Sequence, residues 1–303
     1  MTIFFIDIGG TYIRFAQKGP KGPENICQYP LKNFNDPASA LASKVSKTDR
    51  IYIACTGEMG PDGLWHMSNG PLWKIDVKKL SEQGYKIECF LNDFEAAAHA
   101  VTALGRDDLL PLHCPERDPI NQNYALIGPG TGLGLAYIDR NIEGNPLIRT
   151  TCGGHMACAA LNKEQFEVLD KVKKLTGRPC IYENLCSGSG LPVLYQAVTD
   201  QHCQSAQKAL QHDKTRRLFH EFLGLFIHQA IVFGNSYGGV VLSGGVIHAL
   251  LENKMLMAKK IVSHVHLEGV ELMNGYIRST PLWIARNYHI TLQGLYERYL
   301  SDH

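Results

Sequence analysis

No C-x-x-C pair occurs among the nine cysteines of this 303-residue chain, which stand at positions 27, 55, 89, 114, 152, 158, 180, 186 and 203. An odd set without that spacing gives no sign of a redox pair or a disulfide framework. Most of the nine lie within apolar segments, so reduced, buried thiols are expected. An excess of one charge is also missing: 30 basic residues face 29 acidic ones, for a formal charge of +1. No overall field draws the protein to nucleic acid or to anionic lipid, and a small-molecule partner is expected. The opening Met1-Thr2-Ile3-Phe4-Phe5-Ile6 lacks a basic flank, and Asp7 interrupts it too early for a signal peptide or a membrane span. A cytoplasmic location is the expectation. There is no low-complexity segment, heptad repeat or basic tail.

Two common phosphate-binding patterns are absent as well, the Walker G-x-x-x-x-G-K-S/T and the dinucleotide G-x-G-x-x-G. Gly188-Ser189-Gly190 is not the G-x-S-x-G of a serine hydrolase. What the chain has instead is 45% hydrophobic residues, enough for two medium domains with a core each. Ile3 to Ile8 reads as a buried strand, Gly9-Gly10 as a turn, and Thr11 to Gln17 as the returning strand. A third strand is expected through Ile26 to Tyr29, a helix over Ala38 to Ser46, a central strand at Ile51 to Cys55, and a helix over Val77 to Gln83. Ile87-Glu88-Cys89-Phe90 is expected as a buried strand ending at Asn92-Asp93. His113 to Asn123 reads as a polar loop.

Strand, glycine-rich turn and strand then recur: Tyr124 to Ile127, Gly128 to Gly132, and Leu133 to Ile138. Further on, Arg216 to Phe233 is apolar at helical spacing, and Val240-Val241-Leu242 is a strand stopped by Ser243-Gly244-Gly245. The halves share a pattern rather than a sequence, a duplicated architecture at most.

Four groups of residues carry chemistry. Asp93, at the carboxyl end of its strand, stands where open α/β sheets bind ligands and is able to take a proton from a hydroxyl; its plain alternative is a turn or helix cap. Asp7-Ile8-Gly9-Gly10-Thr11 has the parts of a phosphate loop, with glycine N–H groups, a hydroxyl and a carboxylate facing a divalent cation; the alternative is a simple hairpin turn. Gly128-Pro129-Gly130-Thr131-Gly132-Leu133-Gly134 has more glycine than a turn needs, so a ligand approaching the backbone is the better reason for it. Cys152-Gly153-Gly154-His155 and Glu183 before Ser187-Gly188-Ser189-Gly190 offer an imidazole and a carboxylate, against the alternatives of a structural histidine and a surface glutamate. A zinc site at His155 lacks ligands at fitting spacing apart from Cys158.

In order along the chain these segments resemble the bacterial glucokinase family of the hexokinase-actin-Hsp70 superfamily. Asp7 to Thr11 is similar to its D-x-G-G-T, Ala54-Cys55-Thr56-Gly57 to its A-x-P-x-x-G, and Met67 to Trp73 to its M-T-N-x-x-W with one extra residue. Asn92-Asp93-Phe94 resembles N-D-F, Gly128 to Gly134 the second phosphate motif, and Gly153-Gly154-His155 the end of E-G-G-H. Glu183 with Ser187 to Leu191 resembles E-x-x-x-S-G-x-G-L, and Leu242 to Gly245 the adenosine-binding end.

The resemblance implies an α/β fold of two actin-like, ribonuclease H-like lobes with mixed sheets and a central cleft. Residues 1–105 with 286–303 would form the small lobe, completed by a last helix at about Thr291 to Leu300, and 106–285 the large one. It implies phosphorylation of the glucose 6-hydroxyl by ATP with Mg²⁺, Asp93 as general base, and a homodimer. Asn92, Asp93, Gly154, His155 and Glu183 would bind the sugar. Ile6, Asp7, Ile8, Gly9, Gly10, Thr11, Gly130, Thr131, Gly132, Gly244 and Gly245 would bind ATP, with Asp7 reaching the metal through water. Cys152 stands where the family has a sugar-binding Glu, Tyr12 replaces a usual Asn, and Thr291-Leu292-Gln293-Gly294 departs from the family's G-L-x-G. Cys152 therefore keeps open a kinase of another hexose or amino sugar. A catalytically weak sugar-binding regulator is the alternative from another class, although the chain opens on the hairpin without the helix-turn-helix and zinc loop of related repressors.

Overall fold

The computed structural model describes residues 1–68, 70–115, 122–267 and 271–303. Met1–Leu104 with His289–His303 form one compact unit and Gly105–Tyr288 a second. The first contains β1 (Ile3–Ile8), β2 (Tyr12–Lys18), β3 (Pro23–Pro30), β4 (Arg50–Cys55), β5 (Glu58–Met59), β6 (Trp65–His66), β7 (Lys74–Ile75) and β8 (Lys86–Asn92). Five of these make a sheet in the order β3-β2-β1-β4-β8, and the short β5, β6 and β7 make another. β1 is central because all but one of its residues are buried, and a strand covered on both faces tolerates an unbroken apolar run. It pairs antiparallel with β2 and parallel with β4. The helix Ile290–Ser301 belongs to this unit and buries Leu292, Leu295 and Tyr296 against Phe5, Tyr52 and Ala96.

The second unit repeats the plan with β9 (Leu109–His113), β10 (Tyr124–Pro129), β11 (Leu133–Arg140), β12 (Pro146–Thr151), β13 (Gly239–Leu242) and β14 (Leu282–Ala285). Their order is β12-β11-β10-β13-β14-β9. Each sheet thus has a three-strand antiparallel meander followed by two parallel strands, and the second sheet adds β9 antiparallel at its edge. The long helix Asp213–Gly234 supplies the centre of the core, with Leu218, Phe222, Leu225, Phe226 and Ala230 all buried as their helical spacing predicts.

Several expectations are corrected. β8 is an edge strand and only half-buried, because its outward positions are Lys86 and Glu88. The expected helix at Ala38 to Ser46 is the shorter Pro37–Ala42, opened by a reciprocal cap between Asp36 and Ser39. His113 ends β9 rather than opening a loop, and residues 116–121 of the expected loop lie outside the described residues, as does Asn69 of the Met67 to Trp73 segment. Cys55, Cys180 and Cys186 are buried free thiols, but Cys27, Cys114 and Cys152 are exposed. Among the described residues no helix is long and apolar enough to cross a membrane.

Candidate functional site

In the first unit the candidate residues meet at the carboxyl ends of β1, β4 and β8. Parallel pairing sets Ile8 beside Cys55 and Cys55 beside Asn92, so the Asp7 turn and Asn92-Asp93 share one end of the sheet. Ile6 and Ile8 point into the core, while Gly9, Gly10 and Thr11 form the turn, closed by the Gly9 N–H donating to the Tyr12 carbonyl at 3.0 Å. Asp7 is buried, and its Oδ2 accepts from Arg14 Nη1 at 2.8 Å. Burial pushes its pKa above the ordinary carboxylate value, while the Arg14 guanidinium and the His289 ring pull it back. Arg14 lies opposite Asp7 in the β1–β2 register and is itself held by Gln28, which accepts from its Nε at 2.8 Å. The sequence signal for Arg14 was a lone cation in an apolar strand facing a buried acid, and it was missed.

Asn92 caps the helix Asp93–Ala103, its Oδ1 accepting from the N–H groups of Phe94 (2.8 Å) and Glu95 (3.3 Å). Its Nδ2 donates to the Gly57 carbonyl at 2.8 Å, which ties the start of the helix to the loop after β4. The cap expected as the plain alternative is therefore present, and it is made mainly by Asn92. Asp93 uses one oxygen locally: Oδ1 accepts from Phe94 N–H at 3.0 Å. Its pKa is pushed up to about 7, first by burial and then by the charge of Asp7, against the opposing effect of backbone N–H bonds. A carboxyl poised there is a base matched to neutral pH.

In the second unit, β10 extends to Pro129, so the turn narrows to Gly130-Thr131-Gly132, closed by Gly130 N–H donating to the Gly132 carbonyl at 2.9 Å. Ser243 N–H donates to the Ile127 carbonyl at 2.9 Å, which brings Gly244 and Gly245 alongside that turn. Gly244 has φ +113°, and a Cβ there would stand 2.6 Å from the Pro129 carbonyl oxygen, so only glycine fits. The two glycine segments expected to face a nucleotide are thus assembled together.

Gly153–His155 is a 3₁₀ turn rather than open loop, with Gly153 and Gly154 buried and His155 exposed. His155 Nε2 lies 3.7 Å from Glu183 Oε1, and Glu183 Oε2 accepts from the Leu133 N–H at 2.9 Å. His155 is therefore not a buried structural histidine, nor is Glu183 a free surface carboxylate. The exposed Cys152 precedes them, and its thiol makes no hydrogen bond among the described residues. Also among the described residues, no group of three or more His, Cys, Asp or Glu side chains is arranged to hold a metal.

The Glucokinase family profile matches residues 4–300. A glucokinase of Pseudomonas paraeruginosa is 24% identical over 308 residues, covering 95% of this chain and 89% of that protein. The crystal structure of a glucokinase from an Antarctic psychrotroph superposes with a TM-score of 0.77 at 21% identity, covering 99% of each chain. That of a Balamuthia mandrillaris glucokinase in complex with glucose gives 0.76 at 18% identity, covering 98% of this chain and 93% of that one. These superpositions show that the chain shares the α/β fold of those proteins, and the family match spans nearly every residue of both units. The chain belongs to the glucokinase family.

Proposed function

We propose that this glucokinase-family enzyme moves the γ-phosphoryl group of ATP to the 6-hydroxyl of glucose with Asp93 as the general base. The observation that carries this reading is the carboxyl of Asp93, tuned to about 7 and placed at the sheet end that also carries the first phosphate turn. Asp93 takes the hydroxyl proton as the sugar oxygen attacks phosphorus, the bond from phosphorus to the leaving ADP oxygen breaks, and the proton passes from Asp93 to water. The turns Gly9 to Thr11 and Gly130 to Gly132, with Gly244-Gly245, support the phosphates and nucleotide through N–H groups other than those of Gly9 and Gly130, which close the turns themselves. Alignment and charge stabilisation do most of the work in such a transfer. Asn92, Gly154, His155 and Glu183 are the candidate sugar ligands.

Mg²⁺ suits the donors present: Asp7 keeps Oδ1 outside its pairing with Arg14, and a cation held chiefly by phosphates and water needs few protein ligands. When bound with ATP it offsets the phosphate charge, and Asp7 is the residue that would hold it through water. A homodimer completes the reading on the strength of family resemblance, and sedimentation checks the assembly; a cytoplasmic location suits the free cysteines.

The test is product analysis with ATP, Mg²⁺ and a panel of hexoses, alongside the Asp93→Asn protein. A positioned base contributes roughly 10²–10⁴-fold, and the variant should lose that much in kcat. Near-full sugar-dependent ADP release by the variant would end the assignment of Asp93. Cys152 favours a second reading, another hexose or an amino sugar, because it brings an exposed thiol to the place of a carboxylate. Faster turnover of such a sugar than of glucose would establish it.

A further inference from the structure

Glu183 is expected to serve the sugar, yet its firmest contact is with the nucleotide turn. Its Oε2 accepts from the N–H of Leu133, the residue directly after Gly130-Thr131-Gly132. The same short segment grips the turn twice more, with Gly188 N–H donating to the Gly130 carbonyl at 2.7 Å and Ser189 N–H to the Thr131 carbonyl at 3.1 Å. Ser187 stiffens the segment: its hydroxyl donates to the Glu183 carbonyl at 2.7 Å and accepts from Gly190 N–H at 2.9 Å. On the other side, the Leu133 carbonyl packs on Gly154 so closely that a side chain there has no room. Leu133 is thus a junction, with its N–H on Glu183, its carbonyl against the His155 turn, and its chain neighbour Gly132 closing the phosphate turn.

We infer that Glu183 is a positioning residue for the nucleotide turn through Leu133, in addition to being a candidate sugar ligand, so that the sugar and nucleotide sites of this unit are energetically coupled. The inference rests on the kinase reading above. One carboxylate oxygen holds the turn and the other, Oε1, faces His155 and remains for a hydroxyl. Coupling of this kind is reciprocal: whatever sugar occupancy does to the turn, nucleotide occupancy does to Glu183.

The experiment is ADP binding by calorimetry with no sugar present, on wild type, Glu183→Ala and Glu183→Gln, with thermal unfolding as a check that all three fold alike. Gln keeps an oxygen able to accept from Leu133 N–H but offers the sugar an amide in place of a carboxylate. Glu183→Ala should weaken ADP binding by about 3–10-fold, as loss of one net hydrogen bond implies. Glu183→Gln should bind ADP within about twofold of wild type while losing glucose affinity as Glu183→Ala does. Equal ADP affinity in wild type and Glu183→Ala, or equal weakening in both variants, would overturn the coupling and leave the kinase reading standing. A wild-type protein that binds no ADP would overturn both.

Discussion

An acid that titrates near neutrality leaves a mark on every rate measured around it. Asp93 must be ionised to accept a proton, and its pKa of about 7 sets the pH at which half of it is. For the free enzyme, kcat/KM should climb about tenfold per unit below pH 7 and level off above it. The same shift opposes folding. A carboxyl raised from 3.8 to about 7 is disfavoured in the folded protein once ionised, so the penalty is absent below pH 4, grows up to pH 7 and is constant beyond. Asp93→Asn should accordingly be much slower but more stable at pH 8, by roughly 1–3 kcal/mol, and by less at pH 5; melting temperatures at the two pH values check this. Cys152 gives the complementary experiment. Restoring a carboxylate with Cys152→Glu supplies a charged hydrogen bond of about 1.5–3 kcal/mol, so glucose KM should fall roughly 10–100-fold if glucose is the substrate.

At the scale of elements, helix ends and helix crossings hold the proposed base in place. Asn92→Ala removes both the cap and the link to Gly57 and should lower stability by about 0.5–2 kcal/mol, read in denaturant, with kcat falling because Asp93 loses its fixed start of helix. Gly294 marks where the helix Ile290–Ser301 crosses the helix carrying Asp93, and a Cβ there would run into the Ala96 carbonyl. Gly294→Ala should cost about 1–3 kcal/mol by forcing the two helices apart. The segment Thr291 to Gly294, which departs from the family's glycine pattern at Thr291, thus keeps a glycine that the packing demands.

Two strands that the sequence left unread have a common physical character. β9 is interrupted by Pro111 at one edge of its sheet, β12 is mostly exposed at the other edge, and neither has the fully buried run of a central strand. β1, β4, β10 and β13 are buried on both faces and were legible for that reason. Among site residues, the glycine turns and Asn92-Asp93 announced themselves by residue type and place at strand ends. The bond from the Leu133 N–H to Glu183 did not, because it joins segments 50 residues apart, whereas Arg14 lies in the same hairpin as its partner Asp7 and was legible from it.

For the whole molecule, pH acts through buried imidazoles as well as carboxyls. His220 donates from Nδ1 to the Arg216 carbonyl and accepts at Nε2 from the Met257 N–H, an arrangement only the neutral ring satisfies. Burial lowers its pKa to about 4. Since the unfolded ring titrates at 6.5, its contribution to stability is full above that pH and drains away as pH falls towards 4, with a loss of about 2 kcal/mol by pH 5. His220→Gln should show a flatter loss of stability between pH 7 and pH 5 in urea titrations.

β8 ends its sheet, so the strand that delivers Asp93 carries backbone donors and acceptors on one side that no further strand of that sheet takes up. Such an edge is a template for another chain, and the fold guards it with Lys86 and Glu88, the latter paired with Arg50 at 3.0 Å. Neutralising those two charges should turn the strand that leads into Asp93 into the place where this protein begins to self-associate, well before its core is disturbed.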